Sequence, residues 1–321
     1  MSTRVPTVFI TGITGQDGGY LAEQLLAQGS SVHGLVRAAA EVAPTIAAYP
    51  GVSLHVADLT DTAAVAGLLA EIAPDEIYNL AGISSVARSW QEPVATGLVS
   101  GLAAAGVLQS AFELSERTGR RVAVVQASSA EIFGNPGVWP QDESTPIAPV
   151  TPYGAAKAYA HHMARVYRAR GLHAANVILY NHESPRRPPA FVTRKITQGA
   201  AMIARGEQDE LALGNLDARR DWGWAPDYVD AMVRAARHDV ADDYVIATGR
   251  SHSVAEFVAA AFRAAGIDDW ERHVRVDPAF VRPVDVVELT GDASRARVRL
   301  GWAPTVGFDE VVARMVRADL R

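Results

Sequence analysis

The sequence of 321 residues contains no cysteine. Disulfide scaffolds, thiolate zinc sites and cysteine nucleophiles are therefore excluded, and we expect a reducing, cytoplasmic location. The sequence also has no long run of basic residues. Its 30 Lys and Arg are outnumbered by 36 Asp and Glu, for a formal net charge of −6. We therefore expect no nucleic-acid partner.

Long apolar segments are scarce as well. The chain starts almost directly with a strand pattern, without the apolar segment and cleavage site of a signal peptide. One uncharged stretch, residues 93–112, is long enough to span a bilayer, but it includes three glycines and several polar residues. We expect a helix packed inside the protein or against another subunit, and no membrane partner.

Short β-rich runs alternate with helical patterns in the first half of the chain. The predicted strands lie near residues 5–11, 31–36, 52–56, 76–81, 121–127 and 174–180, and the helices near 18–28, 62–72, 93–118 and 151–170. Strands separated by helices need crossover connections, which indicates an α/β fold with a Rossmann-type, doubly wound parallel sheet. Continuous apolar runs at residues 8–10 and 122–125 are typical of strands buried on both faces.

The second half of the chain is less regular. Residues 184–194 and 213–227 are rich in Pro and Arg and show no clear element, and short helices are predicted near 228–238, 254–265 and 309–316. We expect a dinucleotide-binding domain over residues 1–180, with parts of 213–250 returning to it. Separate segments of residues 181–321 are expected to form most of a smaller α/β substrate lobe.

A glycine-rich turn joins the first predicted strand to the first predicted helix. Gly12, Gly15 and Gly18 have the spacing G-x-x-G-x-x-G. Without side chains, such a turn lets backbone N–H groups approach a pyrophosphate at a helix N-terminus. The strand–turn–helix context favours a dinucleotide site over a plain loop.

The ends of the next strands carry further candidates for this site. The second strand ends in Arg37 where NAD-dependent proteins place an acid, and arginine favours the 2′-phosphate of NADP. Asp58 and Leu59 follow the third strand and are expected beside the adenine. Leu80 and Ala81 follow the fourth, where small residues let the backbone pass under the cofactor. The sequence thus predicts NADP, with NAD as the lesser alternative.

Tyr153 and Lys157 are four residues apart on a predicted helix and therefore share one face. An ammonium near a phenol, together with the positive nicotinamide ring, favours the phenolate and lowers the pKa of the tyrosine. Ser129, at the end of the fifth strand, can hydrogen-bond the same substrate oxygen. This pattern indicates hydride chemistry at a hydroxyl carbon.

Longer segments match a known family. They are residues 12–21 (GITGQDGGYL), 76–80 (EIYNL), 126–134 (QASSAEIFG), 152–157 (PYGAAK), 181–197 (NHESPRRPPAFVTRKIT), 213–228 (LGNLDARRDWGWAPDY), 282–283 (RP) and 300–302 (LGW). Together they resemble the extended short-chain dehydrogenases/reductases that act on nucleotide sugars, and within these the GDP-mannose 4,6-dehydratase family. Residues 181–187 and 213–223 are the segments most specific to the dehydratases.

The resemblance implies a hydro-lyase that converts GDP-mannose to GDP-4-dehydro-6-deoxy-mannose. In the family, NADP+ takes the C4 hydride, a carboxylate removes the C5 proton as the C6 hydroxyl leaves, and the hydride returns to C6. The resemblance makes Tyr153 the base for O4, tuned by Lys157, puts Ser129 in the place of a family Thr, and makes Glu131 the C5 base. On a strand, Glu131 would point to the same side as Ser129.

The resemblance also implies two sets of ligand contacts. The cofactor contacts are Gly12, Thr14, Gly15, Gln16, Asp17, Arg37, Asp58, Leu59, Leu80, Ala81, Tyr153, Lys157, His182 and Arg187. The substrate contacts are Ser84, Ser129, Glu131, Asn181, Val192, Lys195, Leu213, Gly214, Arg220, Arg282 and Glu288. Arg220 and Arg282 are expected near the pyrophosphate, whose negative charge needs local cations. About half of a named set of arginines are expected to form plain surface or interdomain pairs instead: Arg186, Arg187, Arg194, Arg219, Arg220 and Arg282.

The sequence departs from the family pattern in three places. The loop after the second strand is short and lacks the family's Arg and Ser. In the family this loop holds the NADP phosphate and reaches a neighbouring subunit, so its shortening weakens the predictions of NADP preference and of a tetramer. Ala130 replaces a hydroxyl residue, which leaves protonation of the departing C6 oxygen to Glu131 or to a water. Ile83, Ser85 and Trp224 replace other family residues around the hexose.

Several alternatives stay open. A reductase or 4-epimerase acting on a related nucleotide sugar would share the cofactor turn and the Tyr-Lys pair, but neither reaction needs Glu131. A protein that binds NADP(H) without catalysis would commonly have lost Tyr153 or Lys157. Trp222 and Trp224 either stack on a base or pack within the lobe.

Two more expectations concern metals and assembly. No metal site is expected, because His161 and His162 are adjacent and do not share a helix face. Related enzymes commonly pair through helices that here include residues 93–118 and 153–170. A homodimer or a homotetramer is therefore expected, with a GDP-sugar as the small-molecule partner.

Overall fold

The computed structural model describes residues 5–280 and 286–321. The strands are β1 (Thr7–Thr11), β2 (Ser31–Val36), β3 (Ser53–Val56), β4 (Glu76–Asn79), β5 (Ala123–Ser129), β6 (His173–Leu179), β7 (Asn181–Glu183), β8 (Leu211–Leu213), β9 (Arg219–Trp224), β10 (Asp243–Ile246), β11 (Ser251–Ser253), β12 (Val274–Val276) and β13 (Glu288–Leu289). The α-helices are α1 (Gln16–Ala27), α2 (Val42–Ala48), α3 (Thr62–Ile72), α4 (Val86–Gln91), α5 (Pro93–Gly97), α6 (Ala103–Thr118), α7 (Pro152–Ala169), α8 (Val192–Ala204), α9 (Ala225–Arg237), α10 (Val254–Ala264), α11 (Ser294–Leu300) and α12 (Phe308–Asp319).

The centre of the fold is a parallel sheet of seven strands in the order β10-β6-β5-β4-β1-β2-β3. Its two halves wind outwards from β1 and β4, which leaves a crevice at the carboxyl ends of these strands. Val8 and Ile10 of β1 point into one apolar core and Phe9 into the other, so the strand is buried on both faces. The Rossmann-type, doubly wound sheet predicted from the sequence is confirmed.

Strand β10 is not among the strands predicted from the sequence. It pairs in parallel with β6 and forms one edge of the sheet. It begins with the buried Asp243, whose carboxylate accepts hydrogen bonds from Arg165, Arg168 and Asn176. These partners lie far away in the sequence, so the local pattern gives no sign that a charged residue opens a buried strand.

The smaller lobe is built around β9. This strand pairs in parallel with β7 and β13 and antiparallel with β11, and helices α8, α10 and α12 pack together over a third apolar core. The prediction that residues 213–227 are irregular is therefore wrong, because β9 and the start of α9 occupy nine of these fifteen residues. Residues 184–194 also contain the start of α8. The sequence of β9 (RRDWGW) has no apolar run, and its burial depends on distant partners.

A long apolar helix is formed by α5, a π-helical turn (Leu98–Leu102) and α6. By length and composition this helix, Pro93–Thr118, is able to cross a membrane, but half of its most apolar window is buried inside the protein. The π turn brings Gly101 against α7, where an added Cβ would lie 3.3 Å from the carbonyl oxygen of Ala156. The expectation of a helix packed inside the protein is therefore confirmed for half of this window.

Candidate active site

The glycine-rich turn lies against the end of β4. Gly12 has φ +74°, and a Cβ there would lie 2.8 Å from the backbone nitrogen of Ala81. The Thr11 hydroxyl accepts hydrogen bonds from the backbone N–H groups of Leu80 and Ala81, each at 3.1 Å. The structure thus brings together three residues that were predicted separately to contact the cofactor: Gly12, Leu80 and Ala81.

The turn leaves the amino end of α1 open. Gly15 stands at the N-cap and has no side chain to accept hydrogen bonds from the first turn of the helix. A Cβ at Gly18 would lie 2.2 Å from the carbonyl oxygen of Gly12, so helix and turn are in close contact. An uncapped helix N-terminus directly after a glycine turn fits the pyrophosphate of a dinucleotide.

The residues expected at the adenosine end follow β2 and β3. Arg37 has an exposed side chain, and its backbone N–H donates to the Glu41 carboxylate at 2.9 Å. The Asp58 carboxylate accepts from the N–H and hydroxyl of Thr60, which lowers its pKa, with a smaller contribution from Arg37. The side chain of Leu59 is buried in one of the two cores of the central sheet.

Three predicted catalytic side chains meet at the end of β5. Tyr153, Lys157 and Ser129 are all buried, and the Ser129 hydroxyl is close enough to the Tyr153 phenol to lower its pKa. The Lys157 ammonium donates to the carbonyl oxygen of Ala127 at 2.8 Å and lies 5.9 Å from the centre of the Tyr153 ring. The Thr151 hydroxyl caps α7 by accepting from the N–H of Gly154, which fixes the helix start that carries Tyr153.

The pKa of Tyr153 moves upward in this environment. Burial raises it to about 12, the hydrogen bond from Ser129 and the charge of Arg187 lower it, and the charges of Glu131 and Asp17 raise it. Burial likewise lowers the pKa of Lys157 to about 8, with Asp17 opposing the change. Desolvation of the phenolate is thus the largest effect in the protein alone. The lowered tyrosine pKa expected from Lys157 together with the nicotinamide ring stays a prediction.

Glu131 also lies near Tyr153, but on a different structural element from the one predicted. Strand β5 ends at Ser129, and Glu131 lies on a 3-10 turn (Ala130–Ile132), so the argument from strand alternation is wrong. The Ser129 hydroxyl accepts from the Glu131 N–H at 3.2 Å and thereby starts the turn. A Cβ at Gly154 would lie 2.6 Å from the Glu131 carbonyl oxygen, so this turn packs directly on the start of α7.

The Ala130 side chain does not face the site. Its side chain is buried in the same apolar core as Ile132 and Phe133. The replacement of the family's hydroxyl residue therefore adds to the core on this side of the turn. A proton donor for the C6 oxygen must come from another group.

A network of buried hydrogen bonds ties α1 to β7. The Gln16 amide donates to the carbonyl oxygen of His182 at 3.1 Å and accepts from the Ser184 hydroxyl at 2.8 Å. The His182 ring lies 2.8 Å from the Asp17 carboxylate through Nε2, donates to the Tyr180 carbonyl oxygen through Nδ1, and stacks on a neighbouring tyrosine. These contacts were not predicted as a unit; only the family resemblance gave Gln16, Asp17 and His182 individually.

The charges of Asp17 and His182 stabilise each other. Burial would raise the pKa of the Asp17 carboxyl, but the His182 imidazolium and hydrogen bonds lower it on balance. Burial would also lower the pKa of His182, but the Asp17 charge and hydrogen bond raise it. Because both ring nitrogens are placed to donate, the pair is a carboxylate and an imidazolium.

The two arginines after β7 have different surroundings. Arg186 is exposed, forms an ion pair with Glu23 at 2.6 Å, and lies 4.0 Å from the centre of the Tyr20 ring. Arg187 is largely buried, lies 3.3 Å from the Glu183 carboxylate, and acts electrostatically on Tyr153 and Asp17. Of the two, Arg187 is the one placed near the catalytic residues.

The predicted substrate residues form a looser group around the lobe. Asn181 begins β7, Ser84 is in an exposed loop before α4, and Val192 is an exposed residue at the start of α8. Leu213 is buried in the lobe core, and a Cβ at Gly214 would lie 2.6 Å from the Phe280 carbonyl oxygen.

The charged substrate candidates have protein partners. The Lys195 ammonium lies 3.5 Å from the centre of the Phe280 ring. The buried Arg220 donates to the carbonyl oxygens of Arg219 and Val286, and Glu288 accepts from the hydroxyls of Ser251 and Thr290. Arg282 lies outside the described residues.

Other features of the lobe are structural. Arg194 and Arg219 form ion pairs with Asp319 and Glu256. With the pairs of Arg186 and Arg187, at least four of the five described arginines of this set are paired, more than the expected half. Trp222 packs on Phe257 and Phe308, and Arg314 lies over Trp224, so both tryptophans pack within the lobe. Within residues 5–280 and 286–321, no group of three or more His, Asp or Glu side chains is placed to hold a metal ion.

Comparisons with known proteins agree with this geometry. A family model described as GDP-mannose 4,6 dehydratase matches residues 9–315. GDP-mannose 4,6 dehydratase 1 of Arabidopsis thaliana is 44% identical and the human GDP-mannose 4,6 dehydratase is 42% identical. Each alignment covers 97% of this chain, with 89% of the plant protein and 90% of the human protein.

Solved structures of related enzymes share the fold. A UDP-glucose 4-epimerase of Thermus thermophilus in complex with NAD has a TM-score of 0.84, 27% identity and 98% coverage of both chains. A dTDP-glucose 4,6-dehydratase of Streptomyces venezuelae with NAD bound has a TM-score of 0.83 and 25% identity, with 97% of this chain and 96% of that chain covered. The sequence matches, the fold and the placement of Ser129, Tyr153 and Lys157 lead to one conclusion: the chain belongs to the GDP-mannose 4,6-dehydratase family.

Proposed function

We propose that the protein is a hydro-lyase that converts GDP-mannose to GDP-4-dehydro-6-deoxy-mannose. The observation that carries the proposal is the meeting of Tyr153, Ser129 and Glu131 at the carboxyl end of β5, where α7 packs on the turn that holds Glu131. Reductases and 4-epimerases need the tyrosine and the serine but have no use for a carboxylate beside them. Family membership supports the same reaction.

The proposal includes a nicotinamide dinucleotide, which when bound accepts the C4 hydride and later supplies it to C6. The turn at Gly12 and Gly15, the open amino end of α1 and the ends of β2 and β4 would hold it. The finer assignment is NADP, supported by Arg37 at the end of β2. Lys157, held by the Ala127 carbonyl, keeps a positive charge beside Tyr153.

Tyr153 is proposed as the base for the O4 hydroxyl. The Ser129 hydroxyl lies beside the Tyr153 phenol and lowers its pKa, which supports a shared hydrogen-bonding position for O4. In the protein alone the phenol holds its proton, because burial raises the pKa of Tyr153 to about 12. Positive charge, from Lys157 and Arg187 among the chain's own residues, favours release of this proton.

Glu131 is proposed to act twice. As a carboxylate it takes the C5 proton, which the adjacent C4 ketone makes acidic. As the resulting carboxylic acid it gives that proton to the departing C6 oxygen, so that water leaves and the carboxylate is restored. When the hydride returns to C6, C5 takes a proton from water and Tyr153 releases the O4 proton to water, so that the net change is the loss of one water. This single-residue route follows from Ala130, whose buried methyl group offers no proton.

The test is mass spectrometry of GDP-mannose incubated with the purified protein and a trace of NADP+. Loss of one water from the intact nucleotide sugar, without net formation of NADPH, is the expected result. An unchanged mass would contradict the proposal and direct attention to a reductase or an epimerase. A panel of nucleotide sugars with added NADPH would then separate these two.

Assembly, location and domain division are part of the same proposal. We propose pairing of two chains through the faces of Pro93–Thr118 and α7, where Val94, Leu98 and Leu102 and, on α7, Tyr159 and Val166 are exposed apolar residues. Either a dimer or a tetramer uses this face. We further propose a cytoplasmic location, and a cofactor domain of residues 1–180 with α9 and β10 added to it.

A further inference from the structure

The end of β2 carries charges of both signs. The backbone N–H of Arg37 donates to the Glu41 carboxylate at 2.9 Å. Glu41 is half-buried, at the end of a short 3-10 turn (Ala39–Glu41) and directly before α2. The short loop therefore folds a carboxylate back to the backbone of the residue that was expected to bind a 2′-phosphate.

This position decides which dinucleotide a Rossmann-type site takes. A carboxylate at the end of the second strand accepts hydrogen bonds from the ribose hydroxyls of NAD, whereas a cation there pairs with the 2′-phosphate of NADP. Here the chain presents both groups, one through a side chain at residue 37 and one through a side chain four residues later. The sequence pattern at the end of the strand indicates only the arginine, not the carboxylate.

The charges around the site count against a phosphate. Arg37 is the only Lys or Arg between Arg4 and Arg88 in the sequence. Its charge acts on the Asp58 carboxylate, and a second carboxylate, that of Glu41, lies at its backbone N–H, so two acids stand beside one cation. Arg186, which reaches the neighbouring Tyr49 from another segment, is paired with Glu23. A 2′-phosphate with a charge of about −2 would meet a site that is already balanced or negative.

We infer that Glu41 is the specificity-determining residue for the cofactor, so that the chain binds NAD(H) and NADP(H) with comparable affinity. Its carboxylate accepts a hydrogen bond from the 2′-hydroxyl of NAD and repels the 2′-phosphate of NADP, against the attraction of Arg37. The inference rests on the cofactor part of the proposed function. It replaces a preference for NADP with comparable binding of NAD and NADP.

A simpler role for Glu41 would be to close the turn by accepting the Arg37 N–H. Glu41→Gln separates the two roles, because the amide oxygen of glutamine can accept the same hydrogen bond while the negative charge is gone. A matched control is Glu71→Gln, which removes the same charge from an exposed position near the end of α3.

The experiment is calorimetric titration of each purified variant with NAD+ and with NADP+. For the wild type we expect the two dissociation constants to lie within about thirtyfold of each other. Glu41→Gln should change their ratio by at least about fivefold in favour of NADP+, as removal of one nearby charge implies, while Glu71→Gln leaves the ratio as in the wild type. Arg37→Gln should move the ratio the other way.

Two results would overturn the inference: a wild-type preference for NADP+ beyond about thirtyfold, or a ratio in Glu41→Gln within about fivefold of the wild type. If neither dinucleotide bound the wild-type chain, the cofactor part of the proposed function would fall with it. If both bound and the Glu41→Gln ratio were unchanged, the inference alone would fall. If Glu41→Gln does not fold, Glu41→Ala removes the same charge, and the same two titrations decide the question.

Discussion

The cofactor end and the substrate end of the site are built in different ways. At the cofactor end, backbone atoms of the turn at Gly12 and of the end of β4 touch each other, and buried side chains such as Thr11 fix the contact. At the substrate end, candidates such as Lys195 on α8 and Glu288 on β13 come from separate segments and rest on side-chain contacts. If the proposed assignments hold, the hydride chemistry takes place on a frame of backbone contacts, while recognition of the sugar depends on individual side chains.

Loss of the phenol should have the largest effect, because Tyr153 belongs to the rigid end. Tyr153→Phe keeps the ring in its buried site and removes the only oxygen proposed to take the O4 proton. We expect turnover to fall by about a thousandfold, the range for loss of a general base. Absorbance of reduced nicotinamide in a single turnover measures the step; normal reduction in the variant would disprove the assignment.

Glu131→Gln should separate the two halves of the reaction. Removal of the C5 base should lower water loss by about a hundredfold and leave C4 oxidation in place. Reduced cofactor should therefore accumulate transiently while no dehydrated sugar forms, as followed by absorbance and mass spectrometry on the same sample. Full dehydratase activity in this variant would show that another group removes the C5 proton.

The Asp17–His182 pair should make stability depend on pH. The pKa of Asp17 is lowered from 3.8 and that of His182 raised from 6.5, so the contribution of the pair is fully present between these values. It is lost as pH rises from 6.5 through the pKa of His182, and as pH falls from 3.8 through that of Asp17. We expect Asp17→Asn to cost about 2 kcal/mol near pH 6 and less at higher pH. Urea denaturation at several pH values measures it, and a cost independent of pH would contradict the ion pair.

Two glycines with similar backbone angles allow a matched test of the rigid frame. Gly12 has φ +74° and an added Cβ would meet the Ala81 backbone, whereas Gly29 has φ +82° and an added Cβ would meet nothing within 4 Å. Substitution by alanine should cost about 1 kcal/mol at both sites for the left-handed backbone. At Gly12 overpacking should add about 2 kcal/mol. Equal losses in thermal unfolding would show that the contact with β4 is not tight.

At the substrate end, Lys195→Met should have the smallest effect. Methionine keeps the contact with the Phe280 ring and removes the positive charge. We expect KM for GDP-mannose to rise by about tenfold with little change in kcat, because a half-buried cation away from the reacting atoms contributes to binding more than to the chemical step. A large fall in kcat with unchanged KM would place Lys195 in the catalytic machinery instead.

A feature can be predicted from the sequence when the residues that form it are close together in the chain. The strands of the first half and the shared face of Tyr153 and Lys157 follow from local periodicity, and the structure confirms them. Strand β9 does not, because its buried Asp221 is satisfied by Thr248 and Gly249, 27 and 28 residues away. The Asp17–His182 contact spans 165 residues and leaves no local signal. The position of Glu131 could not be predicted either, since the change from strand to 3-10 turn depends on the Ser129 side chain.

The two lysines have a consequence for chemical labelling. Lys157 donates to the Ala127 carbonyl, and Lys195 lies over the Phe280 ring. The sequence contains no other lysine. Amine-directed probes therefore have one side-chain target beside the hydride chemistry and one in the lobe. Burial lowers the pKa of both, that of Lys157 to about 8, so each amine is partly nucleophilic under mildly alkaline conditions. An acylating reagent read by peptide mass would thus report occupancy of both ends of the site in one experiment, without a reporter group having to be engineered into the chain.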